Sequence, residues 1–141
     1  MNELKINHLA AVVSVVLLHA LGFLWYGVIF GELWMSMLGM DRASMEANAP
    51  GGEVWVLNLI TIVASVYILA WLLGRLNISS GVTGAGIGFL TSFCLHQLPT
   101  MNSNMFAQAP FGLAWITAGY MVVGLTISGF ILGAWTKKAA G

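Results

Sequence analysis

The chain has 141 residues, of which 59% are hydrophobic and only 7% carry a formal charge. A composition this apolar does not supply the polar surface of a water-soluble domain and predicts a membrane protein. Five basic and five acidic residues give a formal net charge of zero with the histidines neutral. This balance excludes the strongly basic surface by which proteins bind nucleic acid.

Four long apolar stretches predict an all-α integral membrane four-helix bundle, a single domain over residues 1–141. They run approximately over residues 8–30, 54–73, 82–98 and 113–135. A hydrocarbon core about 30 Å thick requires roughly 20 helical residues, and only the third stretch is short for this. None of the stretches alternates apolar and polar residues as a barrel strand does, so helices are favoured over strands.

The first stretch is predicted to be an uncleaved membrane helix. It begins after Lys5 and continues through Phe30, which is longer than the apolar region of a secretory signal. One face of this helix carries residues at heptad-like spacing: His8, Val12, Val15, His19, Gly22 and Tyr26. Because this face is smaller and more polar than the rest, we expect it to point into the bundle.

The connection from Gly31 to Glu53 is predicted to contain a short amphipathic helix after the first span. Its apolar residues recur at roughly helical spacing, at Leu33, Trp34, Met37, Leu38 and Met45. A helix lying in the membrane interface would bury these side chains and leave the polar ones in water. The connection over residues 99–112 is polar, uncharged and contains Pro110, which predicts a solvated cap or turn region.

The other three helices also have a face of small or polar residues. These faces hold Asn58, Thr61 and Ser65 in the second helix, Gly84, Gly88, Ser92 and His96 in the third, and Thr117, Tyr120, Gly124, Ser128, Gly129 and Gly133 in the fourth. Small residues let neighbouring backbones approach closely, and this contact is a main source of helix association in lipid. The glycines and serines of the third and fourth helices are therefore predicted to be helix-packing residues.

The charges predict the orientation of the chain. An even number of crossings places both termini on one side, and that side collects Lys5, Arg75, Lys137 and Lys138. The opposite side has Arg42 as its one basic residue, together with most of the acidic residues. By the positive-inside bias, the termini and the short second connection are predicted to face the cytoplasm.

Depth in the membrane then predicts one polar cluster. The first and third helices would run outward and the second and fourth inward, which places six residues in the outer third: Tyr26, Asn58, Thr61, His96, Thr117 and Tyr120. A structural role in holding the helices in register is favoured, because no carboxylate or lysine lies within the spans. The alternative is that the cluster binds a ligand.

The histidines do not predict a metal or haem site. His19 and His96 would lie at different depths, and no further histidine or cysteine completes a familiar ligand set. A hydrogen-bonded core histidine is therefore the expectation at both positions, and no cofactor is predicted.

Short motifs near both ends of the chain resemble a known family. Ile6-Asn7, Leu24-Trp25-Tyr26-Gly27 and Phe30-Gly31 resemble the opening of a bacterial membrane family catalogued as domain of unknown function 1761. Ala118-Gly119-Tyr120 and the segment from Gly129 to Trp135 are similar to the last helix of that family. The resemblance implies four spans and a bacterial inner-membrane location, and it implies no particular activity.

The sequence predicts a protein that is not an enzyme. The first hypothesis is a helix-packing or accessory subunit that self-associates or docks on a larger membrane complex, motivated by glycines in excess of what a minimal bundle requires. The first alternative is a small transporter or ligand-binding protein that uses the outer polar cluster and therefore contains a solvent-connected cavity there. The second alternative is a haem or quinone binder. The lipid bilayer is the one partner common to all three.

Overall fold

The computed structural model describes residues 4–138, and nearly all of them are helical. The longer helices are α1 (His8–Leu24), α4 (Gly52–Arg75), α5 (Gly81–Ser92) and α8 (Gly119–Ala134). The shorter ones are α2 (Gly31–Met37), α3 (Arg42–Ala47), α6 (Leu98–Phe106) and α7 (Phe111–Thr117). Two π-helical turns, Trp25–Ile29 and Phe93–Gln97, continue α1 and α5. Strands β1 (Leu4–Lys5) and β2 (Lys137–Lys138) complete the order.

Three helical stretches in the described part of the chain are long and apolar enough to cross a membrane. They are His8–Ile29, Gly52–Arg75 and Phe111–Ala134. The third predicted span is not among them, because glycines, hydroxyl side chains, His96 and Gln97 lower its hydropathy. In the structure that segment belongs to one helical run over residues 81–106.

Helix α8 lies at the centre of the molecule and packs against α1, α4 and α5. Its contact with α5 is a contact between backbones. A Cβ atom added at Gly84 would collide with the backbone of Gly129, and one added at Gly88 would collide with the backbone of Leu125. At Gly133 an added Cβ would collide with the backbone of Ser80. Glycine at these positions therefore sets how closely the two helices approach.

The apolar core occupies the end of the bundle that carries β1 and β2. Its buried residues come from α1, α4 and α8, and they include Ala11, Leu18, Ile62, Val66, Leu69, Leu73 and Leu132. By contrast, every residue of α4 from Gly52 to Thr61 is exposed. The half of α4 farther from the strands is therefore left uncovered by the rest of the chain.

The two strands hold the first and last described residues together, and the sequence did not predict this pairing. Leu4 pairs with Lys138 and Lys5 with Lys137 in an antiparallel ribbon. The side-chain amide of Asn7 donates to the carbonyl of Trp135 at 3.0 Å, and its oxygen accepts from the first amides of α1. Both ends of the described chain consequently lie at one end of the bundle.

The connection after the first span contains two short helices where one was predicted. Gly39 has a φ of +68°, a conformation that glycine adopts without steric cost, and it separates α2 from α3. Asp41 then caps α3, because its Oδ1 accepts from the Ser44 amide at 2.7 Å. The prediction of one amphipathic helix missed this break, although Trp34 and Met45 do turn partly inward.

The cap of α3 predicts a pH dependence. The hydrogen bonds from Ser44 lower the pKa of Asp41 below its ordinary value of 3.8. A lowered carboxyl pKa stabilises the folded segment above the unfolded pKa, and this contribution is lost as the pH falls through the folded pKa. We expect the Ser44 amide resonance to shift below about pH 4, in the range of a carboxyl titration. In the control variant Asp41→Asn, which keeps an acceptor, the resonance should not shift.

The solvated cap or turn region predicted over residues 99–112 is mostly exposed, but most of it is helical. The helix continues through α6 to Phe106, and the chain turns only at residues 107–110. Pro99 is tolerated because it lies in the first turn of α6, directly after the π-helical turn, where its missing N–H costs little.

Candidate functional site

A cavity of about 580 Å³ opens between α1, α4 and α8, at the end of the bundle opposite the strands. We call this space the wedge. The residues that line it and enter the argument below are His19, Tyr26, Trp34, Trp55, Asn58 and Tyr120, with Gly22 and Gly27. The lining also includes Met45 and Pro50, so the segment that contains α3 borders the wedge.

Two features of the sequence create this space. The exposed half of α4 stands apart from its neighbours, and α1 presents glycine at the positions that face the gap. A Cβ at Gly22 would lie 3.5 Å from the Tyr120 ring, and a Cβ at Gly27 would meet nothing within 4 Å. Phe23 and Trp55 at the walls are 70% and 55% exposed, so the wedge opens sideways from the bundle.

Two tyrosines form the floor of the wedge. The rings of Tyr26 and Tyr120 lie 5.9 Å apart. The Tyr120 hydroxyl donates to the carbonyl of Leu18 at 2.8 Å, and the Tyr26 hydroxyl donates to the carbonyl of Thr117 at 3.4 Å. Both hydroxyl hydrogens are therefore committed to backbone oxygens of the protein itself.

The π-helical turn in the first span positions these contacts. A π turn adds a residue to the helical repeat and re-aims the side chains that follow, and such turns are frequent at functional sites. Here the first two residues of the turn, Trp25 and Tyr26, lie against the junction between α7 and α8, where the helix is interrupted at Ala118. Trp25 Nε1 donates to the carbonyl of Ile116 at 2.9 Å. The two aromatic residues thus bond consecutive carbonyls at the interruption.

Three polar side chains at the wedge have unused hydrogen-bonding capacity. Trp34 Nε1 is buried and has no partner in the described residues. Asn58 is exposed and forms no hydrogen bond with any residue that the structure describes. His19 Nδ1 lies 2.9 Å from the carbonyl of Val15, which leaves its second ring nitrogen unused.

The six residues predicted to form one polar cluster do not all meet. Tyr26, Asn58 and Tyr120 line the wedge, whereas Thr61 and His96 line a separate groove of about 320 Å³ between α4 and α5. Thr117 contributes its carbonyl to Tyr26, and its hydroxyl donates to Leu113. Similar depth does not fix direction around a helix, and α4 presents Asn58 and Thr61 to spaces on its two sides.

The histidines also differ from one another. His19 is hydrogen-bonded and partly buried, as predicted. His96 is exposed and has no hydrogen-bond partner within residues 4–138, so the expectation of a bonded core histidine was wrong there. No three His, Cys, Asp or Glu side chains of the described chain are grouped as a metal site requires.

The residues predicted to pack helices all lie in contacts within the chain. Gly84, Gly88, Ser92, Gly124, Ser128, Gly129 and Gly133 are buried. A Cβ at Gly124 would approach Leu18 of α1 to 3.0 Å, and the other four glycines form the contact between α5 and α8. The glycines that motivated self-association are therefore occupied inside one chain.

Sequence reasoning missed Gln97, which is completely buried. Its Nε2 donates to the carbonyl of Ala114 at 3.1 Å, and its Oε1 has no partner in the described part of the protein. A glutamine inside an apolar span was the available signal, since intramembrane polar groups usually face the interior. Trp34 was missed for a different reason, because its role depends on how α2 packs against the π-helical turn that follows α1.

Comparison with known proteins identifies a family. A family model described as protein of unknown function (DUF1761) matches residues 9–133. The chain belongs to this family. The resemblance noted in the motifs around Trp25 and Tyr120 is thereby confirmed, and the DUF1761 match includes every helix that lines the wedge. No curated protein and no solved structure gives a significant match to the chain.

Proposed function

We propose that this DUF1761 protein is a noncatalytic four-span membrane protein that binds an uncharged, largely apolar small molecule in the wedge. The observation that carries the proposal is the wedge itself, a cavity of about 580 Å³ at the end of the bundle. Cavities of this size with mostly apolar walls and a few convergent polar groups are typical of small-molecule sites.

The composition of the walls supports the uncharged character of the ligand. None of the residues that line the wedge is Asp, Glu, Lys or Arg. A charged ligand would leave water without gaining a counter-charge, which is costly in an apolar environment. The sideways opening beside Phe23 and Trp55 supports entry from the surrounding lipid.

The proposed topology has four crossings, with both termini in the cytoplasm of a bacterial cell and the protein in its inner membrane, and the structure supports the even number of crossings. Pairing of β1 with β2 brings the first and last described segments together, as an even number of crossings requires. The helical run over residues 81–106 is roughly 39 Å long at about 1.5 Å per residue, enough for a fourth crossing. The wedge would then lie in the outer leaflet.

An accessory role is the second candidate, and the exposed half of α4 favours it. Val56, Leu57 and Ile60 are exposed there beside Asn58, so a helix of a partner or of a second copy has a surface to pack on. Native mass spectrometry of the protein released from nanodiscs distinguishes the two roles. A stable complex favours docking, and a single chain that retains a small molecule favours ligand binding.

Filling the wedge is expected to abolish ligand binding. A phenylalanine at Gly27 would extend into open space at the wall, because an added Cβ meets nothing within 4 Å. In nanodiscs, saturable binding of the neutral amphiphile 4-nonylphenol should weaken at least about tenfold in Gly27→Phe, as expected for a lost apolar site.

Gly86→Phe is the matched control for this substitution. Gly86 is also a helical glycine with nothing within 4 Å of an added Cβ, and it does not line the wedge. Its affinity for 4-nonylphenol should equal that of the unaltered protein. Equal affinity in Gly27→Phe, or no saturable binding above that of empty nanodiscs, would contradict a ligand site in the wedge.

A further inference from the structure

We infer that the ligand of the wedge carries a hydroxyl group that donates a hydrogen bond to Nε2 of His19. This inference rests on the proposed binding function and specifies the chemical class of the ligand. It disfavours molecules of the same shape whose oxygen can only accept, such as ethers, ketones and the oxidised form of a quinone.

The hydrogen-bond partner of His19 fixes which ring nitrogen carries the proton. Nδ1 lies 2.9 Å from the backbone oxygen of Val15, and a carbonyl oxygen can only accept. Nδ1 must therefore be the protonated nitrogen. In the neutral imidazole Nε2 then has a free lone pair and acts as an acceptor. No residue in the described part of the chain donates to it.

The two tyrosines of the floor add acceptors to the wedge and no donors, and the side-chain amide of Asn58 is a donor elsewhere in the lining. The hydroxyl hydrogens of Tyr120 and Tyr26 are used by the carbonyls of Leu18 and Thr117. What these tyrosines still offer to the wedge is oxygen lone pairs. A ligand group near His19 therefore meets acceptors, and a carbonyl or ether oxygen placed there would be desolvated without a partner. Such an unpaired polar group is disfavoured relative to a hydroxyl.

A buried donor without a partner lies in the lining beside the floor of the wedge. Trp34 lies against Tyr26, with ring centroids 5.4 Å apart, and its buried Nε1 has no partner among residues 4–138. Tyr26 is seven residues beyond His19, roughly 10 Å along the helix at about 1.5 Å per residue. The lining of the wedge thus combines an acceptor at His19 with N–H groups at Asn58 and Trp34, which suits an amphiphilic alcohol, phenol or quinol.

Two compounds that differ by one hydrogen-bond donor test this inference. 4-Nonylphenol donates through its hydroxyl, and its methyl ether, 4-nonylanisole, has nearly the same shape and cannot donate. In nanodiscs the unaltered protein should bind the phenol about tenfold more tightly than the ether, the effect of one buried hydrogen bond gained or lost. Equal affinities for the two compounds would overturn the inference.

The variant His19→Leu assigns the preference to this residue. Its affinity for the phenol should fall to within about twofold of its affinity for the ether. A tenfold preference that persists in His19→Leu would show that another group recognises the hydroxyl, and it would overturn the assignment. Loss of binding in Gly27→Phe, by contrast, tests the proposed function itself, so the two failures are distinguishable.

Nitrogen NMR of the unaltered protein provides a test that does not depend on any variant folding. The ring nitrogens of His19 should show the tautomer protonated at Nδ1. On addition of 4-nonylphenol the Nε2 resonance should shift, and on addition of 4-nonylanisole it should not. A tautomer protonated at Nε2 would remove the acceptor and overturn the inference.

Discussion

Gly88→Leu is expected to destabilise the protein by about 3 kcal/mol or more, beyond the usual cost of overpacking a core. Gly88 is buried, and even a Cβ there would collide with the backbone of Leu125 in α8. A backbone cannot rotate away as a side chain can, so α5 must separate from α8 to admit the leucine. The free energy of unfolding, measured by denaturing titration in mixed micelles, should fall accordingly.

Gly86→Leu provides the comparison for this prediction. Gly86 lies two residues away on the same helix, it is exposed, and an added Cβ meets nothing within 4 Å. Both variants replace a helical glycine by leucine, so the helix propensity gained is the same in each. If Gly88→Leu were as stable as Gly86→Leu, close packing of α5 on α8 would not be a source of stability.

The sequence indicated that the glycine faces of α5 and α8 take part in close helix packing, and the reason is physical. Glycines four residues apart form a ridge that only another backbone can fill well, so Gly84 and Gly88 required a partner of the same kind. The sequence supplied one in Gly129 and Gly133, and the structure places the two pairs against each other. What the sequence left open was whether the partner lay in the same chain.

Only part of the candidate site could be predicted from the sequence. Depth along each helix placed Tyr26, Asn58 and Tyr120 at similar levels, and the structure assigns all three to the wedge. Direction around α4 was not accessible, because Asn58 and Thr61, predicted to share one face, line two separate spaces. The gap itself depends on where α4 leaves the bundle, which is a property of packing and not of the α4 sequence alone.

The interrupted final span explains why the first span carries Trp25 and Tyr26 in succession. Helix α7 ends at Thr117 and α8 begins at Gly119, and carbonyls at such a junction require donors when water is absent. Trp25 bonds the carbonyl of Ile116, and Tyr26 bonds that of Thr117. The Tyr26 ring that forms part of the floor of the wedge thus belongs to a side chain that also bonds a carbonyl at the junction of α7 and α8.

Trp25→Phe should therefore destabilise the protein by about 2 kcal/mol, the cost of a buried carbonyl that loses its donor together with the smaller ring volume. Trp115→Phe is the control, since Trp115 lies on α7 beside the same junction and is 46% exposed. Its effect should remain within about 0.5 kcal/mol, as for other surface substitutions. Unfolding titrations of the two variants in the same micelles measure the difference.

The affinity for 4-nonylphenol provides a second measurement of the effect of Trp25→Phe. If Trp25 positions Tyr26 through the junction, Trp25→Phe should also weaken binding of 4-nonylphenol, because the Tyr26 ring forms part of the floor. Trp115 does not line the wedge, so its variant should bind normally. A stability loss in Trp25→Phe with unchanged affinity would show that the junction supports the fold alone, and that the floor of the wedge is held by the Tyr120 hydrogen bond to Leu18.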